Sequence, residues 1–118
     1  MCLEMTAKRI VAIILNWNGL AFTEKCCSSL AKLNNASQLR IIIVDNGSTA
    51  HTLDELVAGC PNAEVISSGA NLGFAGGNDF GFKYIQKQGY EYDAIWLLNN
   101  DTECKPDALE SLLSSLYA

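Results

Sequence analysis

The chain has 118 residues, 49% of them hydrophobic and 18% charged, with a net charge of −5 and only two prolines. That length and balance describe one domain able to bury its own core, and they exclude a disordered segment. A net acidic chain lacks the basic footprint of general nucleic-acid binding, so no nucleic-acid partner is expected.

The five cysteines, Cys2, Cys26, Cys27, Cys60 and Cys104, are odd in number and contain no C-x-x-C pair. They read as reduced, mostly buried thiols of a cytoplasmic protein. His51 is the single histidine and has no zinc-type spacing around it. It reads as a surface loop residue. No apolar run reaches 18 residues, and residues 10–15 are followed by Asn16 rather than a small-residue cleavage site. Neither a membrane span nor a signal peptide is expected.

Strands and helices alternate along the chain. Residues 10–15 (IVAIIL) form a continuous β-rich apolar run, the mark of a strand buried on both faces. Phe22, Cys26, Leu30 and Leu33 recur at helical spacing and predict a helix over about 20–33. Residues 41–44 (IIIV) predict a second buried strand. Thr52 and Glu55 have the spacing of a capping box, opening a short helix that Gly59 and Pro61 stop. Residues 63–67 predict a third strand. Phe80, Tyr84 and Ile85 mark a helix that Gly89 terminates. Residues 94–98 (AIWLL) predict a fourth strand. Pro106 suits a first helical position, and Leu109, Leu112, Leu113 and Leu116 line a last helix.

Four strands alternating with four helices predict an open, mostly parallel, Rossmann-like α/β sheet. Four strands with an uncapped far edge read as part of a larger, truncated domain. The bare edge invites association with a second copy.

In such sheets ligands bind beyond the carboxyl ends of the strands. The segments there are Asn16-Trp17-Asn18-Gly19, Asp45-Asn46-Gly47-Ser48, the glycine-rich stretch 69–78 and Asn99-Asn100-Asp101-Thr102. Each has a plain structural reading. Asn, Asp, Gly and Ser are ordinary turn formers, and Asn18 is placed to cap the first helix. Gly76, Gly77 and Gly81 each cost a helix about 1 kcal/mol relative to Ala. Something approaches the backbone there, either a ligand or a neighbouring strand. Asp101 directly follows an apolar strand, where a carboxylate suits Mg2+ or Mn2+ shared with phosphate oxygens, or else a turn. Trp17 and Trp96 read as packing residues. No G-x-G-x-x-G, G-x-x-x-x-G-K-[ST] or G-x-S-x-G occurs, which excludes the common dinucleotide, P-loop and hydrolase patterns. A metal-dependent nucleotidyltransferase would want a basic residue near the first loop, and none lies between Arg9 and Lys25.

The ordered set I-I-L-N-W-N-G, I-I-V-D-N-G-S-T, N-L-G-F-A-G-G-N and W-L-L-N-N-D-T resembles family-2 glycosyltransferases of the GT-A fold, in the spelling of the rhamnosyltransferase-like branch. The likeness runs from about Val11 to Leu116. It implies an inverting enzyme of polysaccharide biosynthesis that takes a UDP- or dTDP-sugar, with a saccharide or lipid-linked acceptor. It also implies a full-length protein peripheral to the inner membrane face. Asn16 and Asn18 would lie around the base and ribose, Asp45 at the pyrimidine and Asn46 beside it. Asn71, Gly73 and Gly77 would border the diphosphate. Asn99-Asn100-Asp101 would stand for the family's D-x-D motif, with Asp101 as metal ligand and Asn99 turned towards the ribose. Family members are usually more than twice this long, with the general base downstream of D-x-D. Glu103, Asp107 and Glu110 read as loop or surface acids, so no catalytic base is assigned and the chain is expected to bind donor without transferring sugar. The rival reading is a non-catalytic α/β module that binds nucleotide or associates with itself.

Overall fold

A computed structural model describes residues 8–117. The elements are β1 (Ile10–Asn16), α1 (Leu20–Ala31), β2 (Leu39–Asp45), α2 (Leu53–Gly59), β3 (Glu64–Ser67), α3 (Gly73–Gln88), β4 (Ala94–Leu98) and α4 (Ala108–Leu116). A short 3-10 turn over Ala36–Gln38 precedes β2. The strands form one parallel sheet in the order β3-β2-β1-β4. This is the open α/β architecture expected from the alternation of apolar runs.

The central strands are buried because helices cover both faces. Side chains alternate across a strand. Ile10, Ile14, Ile41 and Ile43 pack with Cys26, Cys27, Leu30, Leu56 and Leu109 from α1, α2 and α4. Val11, Ile13, Ile42 and Val44 turn the other way and meet Ile85 of α3. Each such aliphatic side chain contributes about 1.5–3 kcal/mol of burial.

α3 lies close on its face because two glycines one helical turn apart point at the sheet. A Cβ on Gly77 would sit 3.0 Å from both methyls of Leu15 and 3.1 Å from Asn46 Nδ2. One on Gly81 would sit 3.0 Å from Ile13 and from Val44. Close packing on the sheet explains these two glycines. Gly89 closes the helix in the left-handed region at φ 71°.

Several local readings are corrected. The stripe of α1 is Thr23, Cys26, Cys27 and Leu30; Phe22 is 61% exposed, and Leu33 is buried beyond the helix end. Pro106 precedes α4, whose N-cap is Asp107. The Thr52–Glu55 capping box forms with both of its bonds. Cys26, Cys27 and Cys60 are buried thiols and Cys104 is half-buried, whereas Cys2 lies outside the described residues. No helix among the described residues is long and apolar enough to cross a membrane.

Candidate functional site

Strand register puts the polar segments on one rim. Asn16 pairs with Asp45 across β1 and β2, and Asp45 pairs with Ser67 across β2 and β3. Ile14 pairs with Leu98, so Asn100 stands two residues past β4 as Asn16 stands two past Ile14. The glycine-rich stretch enters α3 at the same end.

The middle of the rim is a buried hydrogen-bond chain. Asn16 is fully buried. Its Oδ1 accepts from Thr23 Oγ1 at 2.6 Å, and Asn100 Nδ2 donates to the same Thr23 oxygen at 3.2 Å. Asn16 Nδ2 donates to Asp45 Oδ1 at 2.9 Å, faces His51 Nε2 at 2.9 Å and has Ser48 Oγ at 3.3 Å. Asp45 Oδ1 also accepts from Ser48 Oγ at 2.7 Å, and Oδ2 accepts from the Ser48 amide at 3.2 Å. These are three bonds to a carboxylate that accommodates about four. Asp45 remains 6% exposed, so its remaining acceptor capacity opens to the rim.

Asn46 works inwards. Its Nδ2 donates to Gly73 O at 3.1 Å and to Asn71 Oδ1 at 3.4 Å. Its Oδ1 accepts from Ser68 Oγ and the Leu72 amide, each at 3.1 Å. This amide pins the loop before α3 against β2. Asn71 Oδ1 takes the Gly73 amide at 2.9 Å, and Gly73 holds φ 76° with open space where a Cβ would project. Gly47, at φ 82°, runs against the backbone of Ala70 and Asn71, where a Cβ would come within 2.7 Å. Only glycine tolerates both constraints there.

Asn18 does not cap α1. The cap is Gly19, without a side-chain bond. Asn18 sits at φ 50°, and its Oδ1 accepts from the Thr49 and Ala50 amides at 2.7 and 2.8 Å. It ties the loop after β1 to the loop after β2. Trp17 is 55% exposed beside the rim rather than packed. His51 is a larger correction. Its side chain is only 4% exposed and lies 3.9 Å from Asp45 Oδ1.

Asn99 and Asp101 are exposed at the far side of the rim. Asn99, Asn100, Leu15, Phe74 and Asn78 line a hollow of about 120 Å³. Cys26 beneath it is no nucleophile. Its thiol donates to Asn99 O at 3.8 Å, and burial, then Cys104, Cys60 and Asp101, push it up to about 12. Among the described residues no three His, Cys, Asp or Glu side chains gather as a metal cage. Asp101 therefore offers one hard oxygen donor. That fits Mg2+ or Mn2+, which take one or two carboxylates and complete their shell with phosphate and water. A larger hollow, about 700 Å³, opens at the opposite end of the sheet around Arg40, Glu64 and Tyr90. Ion pairing of Arg40 with Glu64 fills its polar wall.

Of the residues singled out in the sequence, the rim brings together Asn16, Asn18, Asp45, Asn46, Asn71, Gly73, Asn99, Asn100 and Asp101. Gly77 faces Leu15 and Asn46 beneath it. Thr23, Ser48 and His51 complete the chain of bonds and were not singled out as site residues. A polar residue at position 23, on the apolar stripe of a helix, is the one signal that could have exposed Thr23.

Residues 11–118 match the family described as Glycosyl transferase family 2. Among solved structures, the chain is similar to the mannosyltransferase PcManGT from Pyrobaculum calidifontis in complex with GDP-Man and Mn2+. The TM-score is 0.79 at 14% identity, covering 93% of this chain and 32% of that one. It is also similar to S. aureus TarS 1-349, with a TM-score of 0.67 at 19% identity, covering 90% of this chain and 31% of that one. The chain thus spans about a third of the length of these structures. No protein with a curated description matches it.

Proposed function

The chain belongs to glycosyl transferase family 2, and from that premise we propose that it forms the donor-binding part of an inverting glycosyltransferase. The donor is a nucleoside-diphosphate sugar of the UDP or dTDP type, and the acceptor a saccharide or lipid-linked hydroxyl. The observation that carries this reading is the single bonded chain from Asp45 through Asn16 and Thr23 to Asn100. It joins an acceptor-rich pocket to the segment bearing Asp101.

In this reading the ring N–H of uracil or thymine donates to the remaining acceptor position of Asp45. Asn16 and Asn18 act one step back, holding Asp45 and its loop. The diphosphate runs towards the start of α3, where Asn71 and Gly73 border it and helix-end amides favour anions. Asn99 lies at the ribose side. Asp101 would hold Mg2+ or Mn2+ together with the diphosphate oxygens. A bound metal neutralises charge on the departing nucleoside diphosphate. Glu103, Asp107 and Glu110 are exposed, and none is assigned as the base that deprotonates the acceptor. Sugar transfer by the 118-residue chain alone is therefore not expected.

Calorimetry with UDP, dTDP and GDP, with and without Mn2+, tests the reading. Binding of UDP or dTDP that Asp45→Ala abolishes, and that Asp101→Ala makes independent of metal, is the expected result. A preference for GDP would replace the pyrimidine assignment. Failure of all three nucleotides at millimolar concentration would overturn the reading. A second reading is a non-catalytic module associating along β4. It is favoured by Leu97, 52% exposed, and by the apolar hollow it shares with Ile13, Phe82 and Ile95. A dimer in solution without nucleotide binding would select it.

A further inference from the structure

Among the described residues, His51 is bonded with Asp45 to the buried Asn16 amide, and the proposed function gives it no role. Its two ring nitrogens have different partners. Nδ1 lies 2.9 Å from Thr52 O. A carbonyl only accepts, so Nδ1 carries a proton. Nε2 lies 2.9 Å from Asn16 Nδ2. That atom is the amide nitrogen, because it faces the Asp45 carboxylate while Asn16 Oδ1 takes the Thr23 hydroxyl. Its two hydrogens serve the two shortest contacts, Asp45 Oδ1 and His51 Nε2 at 2.9 Å each, ahead of Ser48 Oγ at 3.3 Å. Nε2 therefore accepts, and the imidazole is neutral in its Nδ1–H form.

We propose that His51 is a positioning residue of the nucleotide-base pocket, and that its protonation closes the pocket to nucleotide. This rests on the donor-binding reading above. A neutral His51 gives Asn16 Nδ2 a second acceptor and so fixes the amide that orients Asp45. A second proton on Nε2 would set two donors against each other at this 2.9 Å contact. The imidazolium then turns to Asp45 Oδ1, already within 3.9 Å. That contact competes with Asn16 and Ser48 for Oδ1 and so turns the carboxylate, moving Oδ2, which holds the acceptor position left for the base. The titratable groups facing His51 are Asp45 at the end of β2 and Glu55 in the first turn of α2. β1 contributes the uncharged Asn16. Glu55 is engaged by Thr52 at 2.9 Å, which leaves Asp45 as the anion at Nε2.

Linkage sets the size of the effect. If only the neutral form binds, affinity falls tenfold per pH unit on the acid side of the His51 titration. Reciprocally, bound nucleotide moves that titration to lower pH. The test uses the 118-residue chain, UDP with Mg2+, and His51→Gln, whose side-chain oxygen can still accept from Asn16. Nitrogen-15 spectra of the free chain should report the Nδ1–H tautomer. UDP should lower the His51 midpoint. The wild-type dissociation constant should rise about tenfold per pH unit in acid, beyond any slope left in His51→Gln. An Nε2–H tautomer, or equal acid slopes in the two proteins, would overturn this proposal and leave the donor-binding reading standing. No UDP binding by wild type at pH 8 would overturn both.

Discussion

Replacing Thr23 by valine tests whether the buried chain is one unit. Valine keeps the shape of threonine and exchanges its hydroxyl for a methyl, so packing against Cys26 and Cys27 on the same helix face persists. Two bonds vanish: the 2.6 Å donation to Asn16 Oδ1 and the 3.2 Å bond from Asn100 Nδ2. Asn100 is half-buried and can turn to water. Asn16 is 0% exposed and cannot, so its Oδ1 is orphaned. A buried acceptor left unsatisfied costs about 1–3 kcal/mol. With a urea dependence of roughly 1–2 kcal/mol per molar, the unfolding midpoint should fall by about 1 M. Thr23→Ser retains the hydroxyl and loses one methyl group, worth about 1 kcal/mol, so it should lie between valine and wild type. Amide exchange should quicken at 99–101 in the valine protein and not in the serine protein, because only valine frees Asn100. A valine variant as stable as wild type, or more stable than the serine variant, would refute the view that Thr23 holds the rim together.

The two kinds of glycine in α3 should respond differently to substitution. Gly81→Val presses branched methyls onto Ile13 and Val44, whose atoms already stand 3.0 Å from a Cβ; overpacking should cost about 1–3 kcal/mol by urea unfolding. Gly73→Ala meets open space but must hold φ 76°, so about 1 kcal/mol of backbone strain is expected instead. The Glu55 carboxyl is held below its ordinary range, chiefly by the Thr52 backbone bond. Its contribution is present above its unfolded titration and disappears as pH falls through the lower folded value. The stability difference between wild type and Glu55→Gln should therefore shrink in acid, as followed by thermal unfolding between pH 7 and pH 3. A bond to Cys60, and then burial, push the Cys27 thiol up, and Cys26 is raised as well. Site-resolved alkylation at pH 8 should leave both unmodified until the protein unfolds.

Much of this architecture was legible because its signals are local. β1 reads as a strand because six successive apolar residues can only be buried from both sides. The Thr52–Glu55 box and the Gly89 stop are each written within four residues. The site was legible only in outline. Its segments follow from where strands end, but the bonds inside it link Asn16 to residues 7, 29 and 35 positions away. No periodicity marks such partners. Asn18 was misread as a cap because the same side chain that caps helices also tolerates the left-handed backbone it adopts here. His51 was misread because one histidine in a polar loop carries no sign of the amide it meets. The tight glycines offered two explanations, and only the sheet's nearness at Gly77 and Gly81 separates them.

The rim thereby divides into a buried half and an exposed half. Asn16, Thr23, Asp45 and Asn46 are buried and bonded to one another or to the loops. Asn71, Gly73, Asn99 and Asp101 are exposed at the other side. A flat base is recognised by one acceptor in a fixed place, so rigidity there lowers the ordering cost of binding. A diphosphate with its cation is recognised by charge and by backbone amides, which tolerate more freedom. On the proposed reading, substitutions in the buried half should change which nucleotide binds, whereas substitutions at Asp101 should change mainly how strongly binding depends on metal. Variants of Asp45 and Asp101 that altered base preference alike would show that the two halves are not separate.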